Sequence, residues 1–159
     1  MSLFAKMTMM RAFSSQANRT PMFVYGKLLK GFEKHLNFKM EKQVYRGKAA
    51  SVQKGVMQCD DHPFIYFKED QQLYQIRGEL YDVDDECLKA VDIQKRIPDH
   101  YERKEIEVRI TENPEGQAIA EKDQQVVKAY VYTREPKHNI IHDGDFIRYN
   151  KEHDLFKTV

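Results

Sequence analysis

Six segments of the chain show the apolar alternation or the short apolar run that is typical of β-strands. The clearest alternation is in "QLYQIRGELYDV", where Leu73, Ile76, Leu80 and Val83 lie among polar residues and Gly78 predicts a bulge or a close backbone approach. The other segments are "MFVYG", "QVYRGKAASVQKGVMQC", "PFIYF", "YERKEIEVRI" and "VVKAYVY". Two glycines interrupt the longest of them and predict a bend.

The hydrophobic period changes in "DDECLKAVDIQKR", which predicts one clear helix. Cys87 and Val91 fall on the same face, and Asp84 is placed to cap the N-terminus. Lys95 suits the negative C-terminal end, and Pro98 prevents the helix from continuing. Several strands with one helix predict an α+β domain built around a small, mostly antiparallel sheet or barrel.

The remaining segments are polar and predict loops. "TENPEGQAIAEKDQQ" is a hairpin loop with its turn at residues 113–116, and "HDGDF" is a turn before a polar tail. The basic clusters "KLLKGFEKH" and "KMEKQVYRGK" are interrupted by glutamates and are interpreted as solvated faces. His138 and His142 with Asp143 and Asp145 could be drawn as a metal site, but such loop spacing is more typical of a polar turn.

The 159 residues suit one domain, preceded by a segment of different composition. Residues 1–20 carry three basic side chains, several methionines and hydroxyl residues, and no acid, which is the composition of a mitochondrial transit peptide. A disordered or cloning-derived N-terminus is the alternative. The predicted organisation is a targeting-like extension at 1–20, a domain at 21–150 and a tail at 151–159.

The composition of the body limits its partners. Beyond residue 20 acidic residues slightly outnumber basic ones, which argues against direct binding of nucleic acid. No apolar run approaches the length of a membrane span, so we expect no transmembrane segment and at most an association with membranes through partners. The two isolated cysteines fit a reducing compartment.

Three segments resemble the gamma-glutamylcyclotransferase-like superfamily, in particular gamma-glutamylamine cyclotransferase. "VYGKLLKG" is similar to its "YGxLxxG" loop, and "GELYDVDDECLKAVDIQKRIPDHYERKEIEV" aligns without a gap to "GExYxVDExxLxxLDxFExxPxxYxRxxxxV". "AYVYTREPKHNIIHDGDF" resembles the closing strand and turn. The resemblance covers about residues 22–149 and implies a small β-barrel with flanking helices and a pocket at one end.

The resemblance also implies a chemistry. Members convert a gamma-glutamyl compound into 5-oxoproline, with the substrate's α-amino nitrogen attacking its own γ-carbonyl and no metal or cofactor. Amide donors for the carboxylate and the oxyanion would come from the loop, here Tyr25, Gly26, Lys27 and Leu28. A glutamate serves as the base.

The position of that glutamate is occupied by Lys95. An ammonium group cannot accept a proton, and a lysine acts as a base only if burial lowers its pKa by several units. We therefore interpret Lys95 as a surface residue at a helix end and expect the catalytic role to be lost. Asp92 is the candidate substitute base, although it lies three residues from Lys95 and an ion pair between the two is as plausible. The direction of Glu79, towards solvent or the pocket, is open.

These observations predict a catalytically inactive protein of the mitochondrial matrix or the matrix side of the inner membrane. We expect an accessory structural subunit that contacts other subunits through residues 1–20 and 151–159. The near-neutral body favours a respiratory-chain or ATP-synthase complex over a mitoribosome. The alternatives are an active gamma-glutamyl(amine) cyclotransferase using Asp92 or another acid, and a small-molecule sensor that keeps only the pocket.

Overall fold

The structure, a computed structural model, describes residues 18–59, 62–70, 72–135, 140–141, 144–153 and 155–159. Within them lie seven strands: β1 (Thr20–Val24), β2 (Val44–Cys59), β3 (Pro63–Tyr66), β4 (Tyr74–Val83), β5 (Glu102–Glu112), β6 (Val126–Thr133) and β7 (Ile140–Ile141). The same residues form helices α1 (Glu33–Asn37), α2 (Asp85–Lys95) and α3 (Phe146–His153), with short 3-10 turns at Met40–Lys42 and Glu121–Asp123.

Five of the described strands close into a barrel in the order β1, β4, β2, β5 and β6. The successive pairings are antiparallel, and the barrel closes where β6 lies parallel to β1 through Met22 and Tyr130. β3 and β7 pair with the far end of β2. The predicted α+β fold, a small and mostly antiparallel barrel with flanking helices, is confirmed.

Two glycines allow the strands to approach closely enough for this closure. A Cβ at Gly78 would lie 2.0 Å from the carbonyl oxygen of Val24, which confirms the predicted close approach. Gly47 has a φ of +121°, and a Cβ there would lie 1.9 Å from the carbonyl oxygen of Glu112. Leu73, which the alternating segment included, lies outside the strand, because β4 begins at Tyr74, and it is 56% exposed.

Helix α2 begins and ends as its sequence predicts. The Asp84 side chain accepts a hydrogen bond from the Cys87 amide at 2.8 Å, so it is the N-cap. Cys87 and Val91 are buried against the barrel, and Lys95 is the last helical residue. This packing fixes the face of α2 that approaches the loop after β1.

Helix α3 replaces the turn and free tail that the sequence predicts. Asp145 Oδ1 accepts a hydrogen bond from the Arg148 amide at 3.2 Å, while Phe146 and Asn150 are buried. The Asn150 side chain exchanges hydrogen bonds of 2.8 and 3.0 Å with the backbone of Phe156. The Val159 amide donates to the Gly31 carbonyl at 2.6 Å.

Residues 155–159 therefore fold back onto their own domain and do not form the free tail that the sequence predicts. Phe156 lies 6.1 Å from the Phe146 ring, centroid to centroid. Buried ring contacts and two side-chain hydrogen bonds outweigh the exposure of Leu155 and Val159.

Most of the predicted extension, residues 1–17, lies outside the described residues. Its last residues belong to the domain, since β1 begins at Thr20 and Arg19 Nη1 donates to the Asp82 carbonyl at 3.2 Å. None of the helices in the described ranges has the length and apolarity needed to cross a membrane.

Candidate functional site

A pocket lies between the loop after β1, helix α1 and the end of α2. The sequence predicted that the loop residues Tyr25, Gly26, Lys27 and Leu28 would share a site with position 95, and the structure brings all five to this pocket. Its other lining residues are Phe23, Val24, Lys34, Phe38, His62, Pro63, Val91, Gln94 and Tyr132.

The loop after β1 is held in place by contacts on both sides. A Cβ at Gly26 would lie 2.5 Å from the Pro63 side chain, so a glycine lets the loop pack against the start of β3. The Tyr25 hydroxyl donates to the carbonyl of Tyr132 at 2.7 Å, and burial raises the pKa of Tyr25. The Leu29 amide donates to the Gly26 carbonyl at 3.0 Å, which completes a turn.

Glu79 supports the same loop from behind. Its carboxylate is buried and accepts hydrogen bonds from the Lys30 amide at 2.9 Å and from the Tyr81 hydroxyl at 3.0 Å. Burial and the adjacent Glu79 raise the pKa of Tyr81 far above its ordinary value. Glu79 therefore points neither into this pocket nor freely into solvent, and it positions the loop.

Lys27 connects the loop to the C-terminal tail. Its Nζ lies 3.2 Å from His62 Nδ1 and 3.6 Å from the centroid of the Phe156 ring. The tail thus contacts a residue that lines the pocket, although it lies far from the loop in sequence.

Lys95 lies in the pocket wall rather than on the open surface, so the interpretation of Lys95 as a surface residue is wrong. The residue is half-buried, and its Nζ lies 4.6 Å from the centroid of the Tyr101 ring. Burial, with a smaller contribution from the positive charges of Lys34 and Lys27, lowers the pKa of Lys95 to about 8.

Asp92 does not line the pocket and is held in a network on the barrel. Its two carboxylate oxygens accept hydrogen bonds from the Tyr132 hydroxyl at 2.6 Å and from Arg103 Nη1. Burial and this bond to Asp92 raise the pKa of Tyr132. Among the described residues Asp92 does not form the ion pair with Lys95 that the sequence left open. It pairs instead with Arg103 of β5, which fixes α2 against the barrel.

The pocket is cationic and narrow. The described lining residues include Lys27, Lys34 and Lys95 but no aspartate or glutamate. The pocket is partly open to solvent, and its cavity volume is about 30 Å³, enough for a small group. A gamma-glutamyl compound would have to extend beyond this cavity or displace side chains.

Sequence reasoning missed Lys34, because α1 is only five residues long and shows no clear period. The interpretation of its cluster as a solvated face is wrong for Lys27 and Lys34, since both line the pocket. The signal that could have found Lys34 is its position one helical turn after the glycine-bounded loop. Of the four residues that could be drawn as a metal site, Asp145 caps α3, and His138, His142 and Asp143 lie outside the described residues. The described residues contain no cluster of side chains that could hold a metal ion.

A larger depression of about 630 Å³ lies across β2, β4 and α3. Its lining mixes basic and acidic side chains, among them Arg77, Glu79 and Glu112. It contains neither the loop residues nor Lys95, so it is not the candidate site.

Comparison with known proteins agrees with this architecture. The family described as "Gamma-glutamyl cyclotransferase, AIG2-like" matches residues 22–148. A Methanocaldococcus jannaschii protein, whose name places it among the gamma-glutamylcyclotransferases, is 32% identical over 97 residues, which is 61% of this chain and 78% of that protein.

Two solved structures share the fold. An AIG2-like protein from Mus musculus superimposes with a TM-score of 0.67 at 18% identity, over 89% of this chain and 96% of that one. YkqA from Bacillus subtilis superimposes with a TM-score of 0.62 at 20% identity; the match covers 86% of this chain but only 42% of YkqA. The chain belongs to the gamma-glutamyl cyclotransferase, AIG2-like family.

Proposed function

We propose that this chain is a catalytically inactive member of its family and acts as an accessory structural subunit of a large mitochondrial assembly. A respiratory-chain or ATP-synthase complex is favoured over a mitoribosome, because the near-neutral body suits protein partners better than RNA. The transit-peptide composition of residues 1–20 supports the compartment.

The observation that carries the loss of activity is the charge of the pocket. Cyclisation needs an α-amino group without its proton, hence a proton acceptor beside it. The described lining offers three lysines and no carboxylate, and these charges repel an ammonium group. The cavity of about 30 Å³ also holds a whole gamma-glutamyl compound only if side chains move or part of the compound lies outside it.

An active cyclotransferase is the second candidate, and one observation favours it. Because the pKa of Lys95 is lowered to about 8, part of its population is a neutral amine that could accept a proton. Asp92 is a weaker base candidate, since Arg103 and Tyr132 occupy its oxygens and it lies outside the pocket lining.

A turnover assay separates the two candidates. We expect the purified chain to form no 5-oxoproline from gamma-glutamylamines at pH 7 to 9. Turnover above roughly 0.1 s⁻¹, about a hundredfold below a typical enzyme, contradicts inactivity. In an active chain, loss of turnover in Lys95→Met but not in Asp92→Asn would identify Lys95 as the base.

The variant Lys95→Glu tests whether the base is the only catalytic group that the pocket lacks. Turnover in Lys95→Glu but not in the uncharged Lys95→Gln would mean that the pocket can still admit and orient a substrate.

The proposed role in a mitochondrial assembly is tested by purifying the tagged full chain from mitochondria. Co-purification of a constant set of respiratory or ATP-synthase subunits supports the proposal, and migration as a free monomer on a native gel contradicts it.

A further inference from the structure

The amine of Lys95 lies in the pocket without a polar partner. Among the described residues its Nζ makes no ion pair and no hydrogen bond. It makes a cation–π contact with the Tyr101 ring, whose centroid lies 4.6 Å away. A cation–π contact at a half-buried site stabilises the ammonium group much less than the hydration that it loses. The site therefore lacks a negative counterpart.

A second lysine adds to this unbalanced positive charge. Lys34 of α1 lines the same pocket and likewise has no ion pair in the described part of the chain. Burial, and to a smaller extent the positive charges of Lys34 and Lys27, lowers the pKa of Lys95, and burial lowers the pKa of Lys34 as well. Like charges gathered at a partly buried site are stabilised by an anion between them.

The residues that line the pocket limit the kind of anion that can enter it. Phe23, Phe38 and Val91 give the pocket an apolar lining, and the cavity of about 30 Å³ admits one small group. A carboxylate is planar and fits a narrow space better than a tetrahedral phosphate, while an attached hydrocarbon chain would lie along the apolar walls.

We propose that this pocket binds a small oxyanion, in particular the carboxylate of an organic acid, through the ammonium groups of Lys95 and Lys34. This goes beyond the proposed function, because an accessory subunit needs no ligand. It is also distinct from turnover, because binding leaves the bound acid unchanged.

Calorimetric titration of the full chain tests the proposal at pH 7 and constant ionic strength. The probes are acetate, inorganic phosphate and, as a cation of similar size, methylammonium chloride. We expect acetate to bind and methylammonium not to bind. Binding of phosphate instead of acetate would identify the oxyanion as inorganic and supports the same site, whereas binding of neither, or of methylammonium equally well, overturns it.

Substitutions of the two lysines test whether their ammonium groups bind the anion. Lys95→Met keeps the side-chain length, and we expect it to weaken acetate binding by roughly tenfold or more, as for loss of one charged hydrogen bond. Lys34→Met should weaken binding several-fold, and Lys89→Met, an exposed lysine on the same helix, should change nothing. Equal affinity in the wild type and Lys95→Met contradicts the proposal, and Lys95→Gln repeats the test if Lys95→Met does not fold.

The pH dependence supplies a readout that a purely structural role would not move. The charged or titratable groups around Lys95 are Lys34 on α1, Lys27 on the loop, His62 before β3 and Tyr101 before β5, with Arg134 5.9 Å from the Tyr101 ring. Affinity should fall as pH rises from 7 to 9, and the fall should be smaller in Lys95→Met. Failure of this test leaves the inactivity proposal standing, since that rests on the turnover assay.

Discussion

Lys95 shows how one residue can be assigned by sequence and still be misjudged in its surroundings. The ungapped spacing from Gly78 to Pro98 aligns it with the position of the base in the family that the chain resembles. Its burial could not be read from the same pattern, because Lys27 and Lys34, which line the pocket with it, come from a distant loop and a short helix. Burial is a property of the packed pocket, not of the helix alone.

The first prediction follows from the depressed pKa of Lys95. Its shift from 10.5 to about 8 corresponds to at most about 3 kcal/mol, which solvent at the half-exposed side chain reduces. We expect Lys95→Met to raise the free energy of unfolding by about 1 to 2 kcal/mol at pH 7, even after loss of the Tyr101 contact. Urea unfolding measures this, with the exposed Lys89→Met as the control.

The sign of the pH effect is fixed by the same shift. Below about pH 8 Lys95 is protonated in both the folded and the unfolded chain, and the folded state carries the full penalty. As the pH rises from about 8 towards the unfolded value of 10.5, only the folded chain loses the proton, so wild-type stability increases. The advantage of Lys95→Met should therefore shrink over this range; an advantage that grows would contradict the assignment.

Gly78 was predicted as a close approach from its place in an alternating strand. We expect Gly78→Ala to lower the free energy of unfolding by about 3 kcal/mol or more, because its Cβ would lie 2.0 Å from the Val24 carbonyl and separate β1 from β4. Gly116→Ala is the comparison: the φ of Gly116 is +87° but its nearest contact would be 3.7 Å away, so the cost is about 1 kcal/mol. Equal losses in thermal unfolding would exclude the steric explanation.

At the scale of elements, long periodic segments were predictable and short ones were not. β4 and α2 have clear periods, with Asp84 as a cap signal, and both form where the sequence indicates them. α1 and α3 are five and eight residues long and largely polar, so their patterns resemble loops. Their stability comes from contacts that are distant in sequence, such as those between α3 and the tail.

The junction between α3 and the tail carries its own prediction. The Asn150 side chain donates to and accepts from the Phe156 backbone, so Asn150→Ala leaves two partly buried groups without their partner. We expect a loss of about 1 to 3 kcal/mol in the free energy of unfolding. Lys151→Ala, exposed on the same helix, should stay within about 0.5 kcal/mol. A neutral Asn150→Ala would mean that the tail does not dock as described.

At the scale of the whole molecule, the closure of the barrel was the part that strand patterns alone could not supply. Alternation identifies strands but does not distinguish an open sheet from a ring closed by a parallel contact between β6 and β1. The resemblance supplied the barrel, because three motifs in the correct order imply a shared fold. The partners and the compartment are properties of the whole chain in its cell. The proposals for them rest on the segment that precedes the barrel.

The last prediction concerns that segment. We expect a reporter fused behind residues 1–20 to be imported into mitochondria, because the segment is basic, free of acids and bears hydroxyl and apolar residues. The matched control is the double variant Lys6→Glu and Arg11→Glu, which keeps the length and most of the apolar content but reverses two charges. Import should require the native charges, as measured by protease protection in isolated mitochondria. A reporter that stays outside with the native segment, or enters equally well with the reversed one, contradicts a targeting role and removes the support for a mitochondrial assembly, while the barrel and its cationic pocket would stand unchanged.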